Sequence, residues 1–202
     1  MWLTITLRKS SSEVALTDQE WLALYGSRLN PGVPIADLIR QAREALGLSE
    51  KTVATQSGLS IHALGDVESY HIEAERQLDL HNLKRLLTIL NLDLFALFGL
   101  ERPCANTLQD TVLSARGLLV ADCRKRLGLS REALGDRIGY EEVAIQEVEE
   151  DGNALESWSL DSLVDLARVL GIQPWVLIGK TAAFSGQPVE KQVFRDEPAK
   201  KR

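Results

Sequence analysis

Apolar residues recur at helical spacing along most of this chain, and glycine and serine mark off each run. Ile35, Leu38, Ile39, Ala42 and Leu46 predict a helix that ends at Leu46. Gly47 follows where a left-handed residue closes a helix cheaply. Ser49 then reads as the N-cap of a second helix with Val53 and Ala54 inward, and Gly58 ends it. Ser60 caps a third helix whose inner face is Ala63, Leu64 and Val67. Leu83, Leu86, Leu87 and Leu90, then Leu94 and Leu97, predict two further short helices.

The same punctuation returns 81 positions later. Arg43 matches Arg124, Leu46-Gly47-Leu48-Ser49 matches Leu127-Gly128-Leu129-Ser130, Gly58 matches Gly139, and Val67-Glu68 matches Val148-Glu149. A repeat of this kind implies two copies of one structural unit. The late helices align too, Leu86 to Gly99 with Leu166 to Gly179, at an offset of 80. The expected division is an N-terminal appendage over 1–34, a first unit over 35–101, a linker over 102–114, a second unit over 115–180 and a tail over 181–202.

The flanks read differently. Residues 2–7 alternate Trp2, Thr4, Thr6 against Leu3, Ile5, Leu7, a short strand. Its partner is either Val14-Ala15-Leu16 or a strand of another subunit or protein. Thr17 to Glu20 has capping-box spacing, which predicts a helix from Trp21 to Arg28. Thr107 to Leu113 reads as a short helix. The tail lacks periodicity and ends in Lys200-Lys201-Arg202.

A short helix, a tight glycine turn and a following helix form a helix-turn-helix. The L-G-L-S motif, the step to Gly58 and the closing Val67-Glu68 resemble the Cro/CI-type, lambda-repressor-like (XRE) helix-turn-helix family, and the second copy repeats them. The resemblance implies an all-α fold of two tandem five-helix domains. It also implies that the arginine ending the first helix pairs with the glutamate ending the recognition helix: Arg43 with Glu68, and Arg124 with Glu149. That pair is an architectural clamp.

In the family the recognition helix enters the major groove while the preceding helix touches the backbone. In copy one this makes Lys51, Thr55, Gln56, Ser60, Ile61, His62, Ser69 and His71 the candidate DNA contacts. His62 suits a guanine or a phosphate, and Ile61 a thymine methyl. Copy two carries Glu141, Glu142, Val143, Gln146 and Glu147 at the corresponding places, followed by Glu149-Glu150-Asp151. Phosphates repel such a face, so Glu141, Glu142 and Glu147 are expected to form a protein-partner surface or a solvated one.

Net charge is −6 over 202 residues, which weighs against a uniformly basic DNA binder but allows an asymmetric surface. Cys104 and Cys123 lack metal spacing, and His62, His71 and His81 are too scattered for a metal set. No apolar run approaches the ~18 residues of a membrane span. The reading is a cytoplasmic protein without cofactor, metal or catalytic residues, and not an enzyme. The leading function is a sequence-specific DNA-binding regulator of prokaryotic or phage type, led by copy one on a double-stranded operator. The alternative is a protein-binding adaptor or antitoxin that holds a partner, such as a toxin, through copy two or the N-terminal strand. Homodimerisation is compatible with either.

Overall fold

The computed structural model describes residues 28–100 and 115–179. The strand expected at 2–7, the helix expected from Trp21, the linker over 102–114 and the tail from 181 lie outside the described residues. Arg28 itself sits in a bend rather than a helix.

Among the described residues every regular element is a helix. The first set comprises α1 (Ile35–Ala45), α2 (Glu50–Ser57), α3 (Ile61–Ser69), α4 (Glu73–Arg76), α5 (Leu80–Ile89) and α6 (Leu94–Leu97). The second comprises α7 (Ala115–Arg126), α8 (Arg131–Ile138), α9 (Glu142–Glu150), a 3-10 turn over Gly152–Ser157, α10 (Leu160–Leu170) and α11 (Pro174–Ile178). Two features exceed the sequence reading: one-turn α4, and the 3-10 turn that stands in its place in the second set.

The boundaries follow local chemistry. The Ser49 side chain accepts from the Thr52 N–H at 3.1 Å, and Ser60 accepts from the Ala63 N–H at 3.0 Å. Ser130 does the same for the Ala133 N–H at 3.0 Å. Each bond satisfies a donor that the first turn leaves orphaned. Gly58 ends α2 at φ 82° and Gly139 ends α8 at φ 77°, left-handed values that side chains resist.

In the first set α2 packs on α5 and α1 on α3. In the second, α9 packs on α7 and α8, and α10 on α8 and α11. Ile35, Ile39, Val53, Leu64, Val67, Leu83 and Leu86 are fully or almost fully buried, as are Val120, Leu134, Ile145 and Val148. Leu46 departs from the inward stripe: it lies at the C-cap of α1 and is 49% exposed. The equivalent Leu127 is exposed to the same degree, 51%.

The two sets also meet. The N–H of Leu80 donates to the carbonyl of Trp158 at 2.8 Å, within an antiparallel bridge between Asp79 and Ser159. Those two residues are the equivalent N-caps of α5 and α10. Around them α5 packs on the 3-10 turn, and α10 packs on α4.

Candidate nucleic-acid interface

A salt-bridged clamp positions α3 on α1. Arg43 Nε donates to Glu68 Oε1 at 2.6 Å, Nη2 donates to Oε2 at 2.7 Å, and Nη1 reaches the Leu48 carbonyl at 3.3 Å. Both residues are buried. The hydrogen bonds it donates to Glu68 hold the Arg43 guanidinium above its ordinary pKa against the opposing effect of burial. Such a two-pronged pair fixes direction as well as distance.

The second set builds the clamp with one more cation. Arg124 Nε and Nη2 donate to Glu149 at 2.6 and 3.1 Å, and Arg131 Nε donates to Glu149 Oε2 at 2.8 Å. Arg131 occupies the place that Glu50 holds in the first set. Burial pushes the Glu149 carboxyl up, but the hydrogen bonds from Arg124 and Arg131 outweigh it, and the carboxyl titrates below the usual carboxylate range. The stability it contributes is therefore fully present above the unfolded carboxylate pKa and is lost as pH falls through the depressed folded value. In Glu149→Gln that part of the acid dependence should vanish. Urea midpoints measured from neutral pH down through the carboxylate range will read this as a flatter acid limb. An unchanged limb would refute the assignment.

The face beside the first clamp is open. Lys51, Thr55 and Gln56 on α2 and Ile61 and His62 on α3 are exposed, as are Ser60 and Ser69. Two of these polar groups already serve the helix. The Ser60 oxygen caps α3, and the Ser69 hydroxyl donates to the Gly65 carbonyl at 2.7 Å. His71 is half-buried, and its Nδ1 is buried without a hydrogen-bond partner. Gln56 borders a different groove, with His81, Lys84, Arg85, Thr88 and Ile89. Arg85 Nη2 donates to the Gln56 carbonyl at 2.7 Å, so Arg85 stands beside the Gly58 turn. Lys51, Thr55, Ile61 and His62 remain as exposed groups free of such helix-serving bonds.

Comparison with solved structures finds partial likenesses. The restriction-modification controller protein C.AhdI from Aeromonas hydrophila is 35% identical over 33% of this chain and 94% of its own, with a TM-score of 0.27. A third of this chain resembles a restriction-modification controller. Hydroxypropylphosphonic acid epoxidase from S. wedmorenis is 22% identical over 34% of this chain, with a TM-score of 0.30. A structure titled FeII HppE is 24% identical over 33%, at 0.30. The chain spans about a third of the length of these two structures. No family model matches the chain, and no curated protein matches it. The epoxidase likeness corrects one expectation. The sequence reading excluded an enzyme, and that exclusion does not stand, since the matched structures include one. A helix-turn-helix segment does not fix what the rest of a chain does.

The corresponding face of the second set differs in charge. Glu132 and Asp136 on α8 and Glu141, Glu142, Glu147, Glu150 and Asp151 around α9 are all exposed. Glu141 is the N-cap of α9 but makes no side-chain cap bond, unlike Ser60. Glu142 lies in the first turn, where a negative charge suits the positive end of the helix dipole. Val143, in the place of His62, is 59% exposed. Among the described residues no helix is long and apolar enough to cross a membrane. Nor does any group of three His, Cys, Asp or Glu side chains gather as a metal site among them.

Proposed function

We propose that the chain is a DNA-binding regulator built of two helix-turn-helix units, residues 35–101 and 115–180, and that the first unit contacts the DNA. The observation that carries this reading is the exposed face of α2 and α3, where Lys51, Ile61 and His62 stand clear of the clamp. Lys51 supplies a cation for a phosphate at the start of α2. Ile61 and His62, in the first turn of α3, are placed to meet base edges. Thr55, Gln56, Ser60, Ser69 and His71 border the same two helices and complete the contact set. The second unit turns seven exposed carboxylates outward on the matching surface. Charge of that sign weakens any phosphate contact, so this unit does not lead on DNA.

The test is binding of the purified protein to duplex DNA from upstream of its own gene across a salt series. Specific binding should show a steep salt slope and disappear when the duplex is scrambled. Lys51→Ala should weaken binding to all duplexes alike and reduce the slope by about 1. His62→Ala should weaken the specific duplex more than the scrambled one. Binding that stays at the scrambled level in low salt would reject the proposal.

A second reading is favoured by the acidic face itself. Glu141, Glu142 and Glu147 would then hold a basic protein surface, as an adaptor or antitoxin does. Charge reversal at Glu142 and Glu147 distinguishes the two readings. It should abolish capture of a basic partner under the second and leave first-unit DNA binding intact under the first.

A further inference from the structure

We infer that the two helix-turn-helix units are matched by charge to pair with each other, so that one chain supplies both halves of its own dyad and its DNA-facing helix reads a single half-site. The half-site part rests on the function proposed above; the pairing does not.

The contact between the units has approximate two-fold character. Asp79 and Ser159 face each other across the antiparallel bridge and are equivalent residues of the repeat. The packing is reciprocal: α5 meets the 3-10 turn of the second unit, and α10 meets α4 of the first. A contact in which the same patch is used by both sides is how two identical subunits normally associate. Here both sides belong to one chain, and the buried apolar cluster runs through both, including Leu78, Leu80 and Leu83 with Trp158, Leu160 and Leu163.

The charges break that symmetry in one direction. On one flank Lys84 Nζ lies 2.9 Å from Glu156 Oε1. On the other Arg76 Nε lies 3.8 Å from Asp161 Oδ2. The first unit gives the cation in both cases, and the second gives the carboxylate. Two further arginines brace the acids. Arg116, fully buried, donates to Glu156 at 3.0 Å, and Arg28 donates to Asp161 at 2.6 Å. The Lys84 side chain is only 14% exposed, and that burial lowers its pKa against the pull of Glu156.

At the offset of 80 between these segments, Glu156 is the equivalent of Arg76 and Asp161 the equivalent of His81. Two first units pairing in the same way would set Lys84 against Arg76 twice over, with no carboxylate to meet either. Two second units would set Glu156 against Asp161 twice over. Both like-with-like pairings bring like charges together, and only the mixed pairing joins opposite ones. Specificity of this sort comes from what the wrong partner would meet. A short path between the units within one chain adds a high effective concentration. The resulting pair has one face suited to DNA and one acidic face. Its footprint is therefore a single half-site, without the palindrome that a symmetric dimer requires.

The test uses the full chain in two measurements without DNA. Leu80 is the first residue of α5, where an amide has no partner within its own helix. Its bond to the Trp158 carbonyl makes its hydrogen exchange a direct report on the pairing. Slow exchange at Leu80 together with the mass of one chain, 22.4 kDa, by sedimentation at all concentrations is the expected result. Slow exchange that coincides with a doubled mass would overturn the inference, as would fast exchange. Lys84→Met and Lys84→Glu then test the charge. Exchange at Leu80 should quicken modestly in the first and at least tenfold in the second, while amides inside α3, such as Val67, stay slow and show the unit folded. Equal acceleration in the two variants would mean packing alone selects the partner, against the inference. For the half-site, a duplex carrying one half of the protected sequence should bind as tightly as the whole. Tighter binding to the whole would reject the single half-site, and no DNA binding at all would reject the function and leave the pairing standing.

Discussion

Replacing Arg43 with methionine should lower the stability of the folded chain by about 3–5 kcal/mol, because Glu68 is left buried without its counter-charge. The arginine supplies both bonds to that carboxylate, at 2.6 and 2.7 Å, and no other cation lies within salt-bridge range of it among the described residues. The loss is comparable to the whole margin of many small domains. The corresponding change in the second set, Arg124→Met, should cost less, about 1.5–3 kcal/mol, the range for hydrogen bonds to a charged group. Glu149 keeps Arg131 at 2.8 Å when Arg124 is gone. Urea unfolding of both variants, with the slope held equal to the parent's, measures the difference. Equal costs would show that Arg131 contributes nothing to the second clamp. Joint replacement of Arg124 and Arg131 should bring the cost back to that of Arg43→Met.

That asymmetry also marks the limit of what the chain discloses by itself. Helix ends are visible in the sequence because they rest on local chemistry: Ser49, Ser60 and Ser130 cap, and Gly58 and Gly139 take the left-handed turn. The interior is visible as well, since Leu64, Val67, Leu83 and Leu86 recur with the period of a helix. Leu46 is the exception: it continues the stripe at the C-cap of α1, yet among the described residues nothing packs over it and it stays exposed, as does Leu127 in the second set. Long-range charge has no such signature. Arg131 opens α8, and nothing in its spacing names a partner, yet it joins Glu149 on α9. Lys84 and Arg85 are neighbours in the sequence, yet they part. Lys84 crosses to Glu156, and Arg85 turns back to the Gln56 carbonyl. Arg116 begins an ordinary helix and is wholly buried between Glu156 and the Leu177 carbonyl, at 3.0 and 2.7 Å. None of these partners follows from spacing along one helix, because each lies on a different element.

Gly117→Ala should destabilise the protein although alanine is the better helix former. In an exposed helix the exchange gains about 0.5–1 kcal/mol. Here a Cβ on Gly117 would press into the Val148 carbonyl oxygen and come within 2.9 Å of the Glu149 carbonyl oxygen. Both are backbone atoms near the end of α9, so relief requires the helix to move. Overpacking of this kind costs about 1–3 kcal/mol, enough to reverse the gain. The equivalent residue in the first set is Ala36, which is buried at 2% exposure and accommodated. A methyl group at Gly117 would push on the backbone of Glu149, the residue whose side chain Arg124 and Arg131 clamp. Gly135, the equivalent of Ala54, repeats the pattern. Its Cβ would press on the Tyr140 carbonyl, and the Tyr140 ring stacks on Trp158 with centroids 4.0 Å apart. Strain at Gly135 therefore passes to the residue whose carbonyl receives the Leu80 N–H. Thermal unfolding of Gly117→Ala and Gly135→Ala decides the matter. A raised midpoint in either would mean that helix propensity governs and the close approach is absent. Lowered midpoints, with faster Leu80 exchange in Gly135→Ala alone, would tie that glycine to the contact between the two sets.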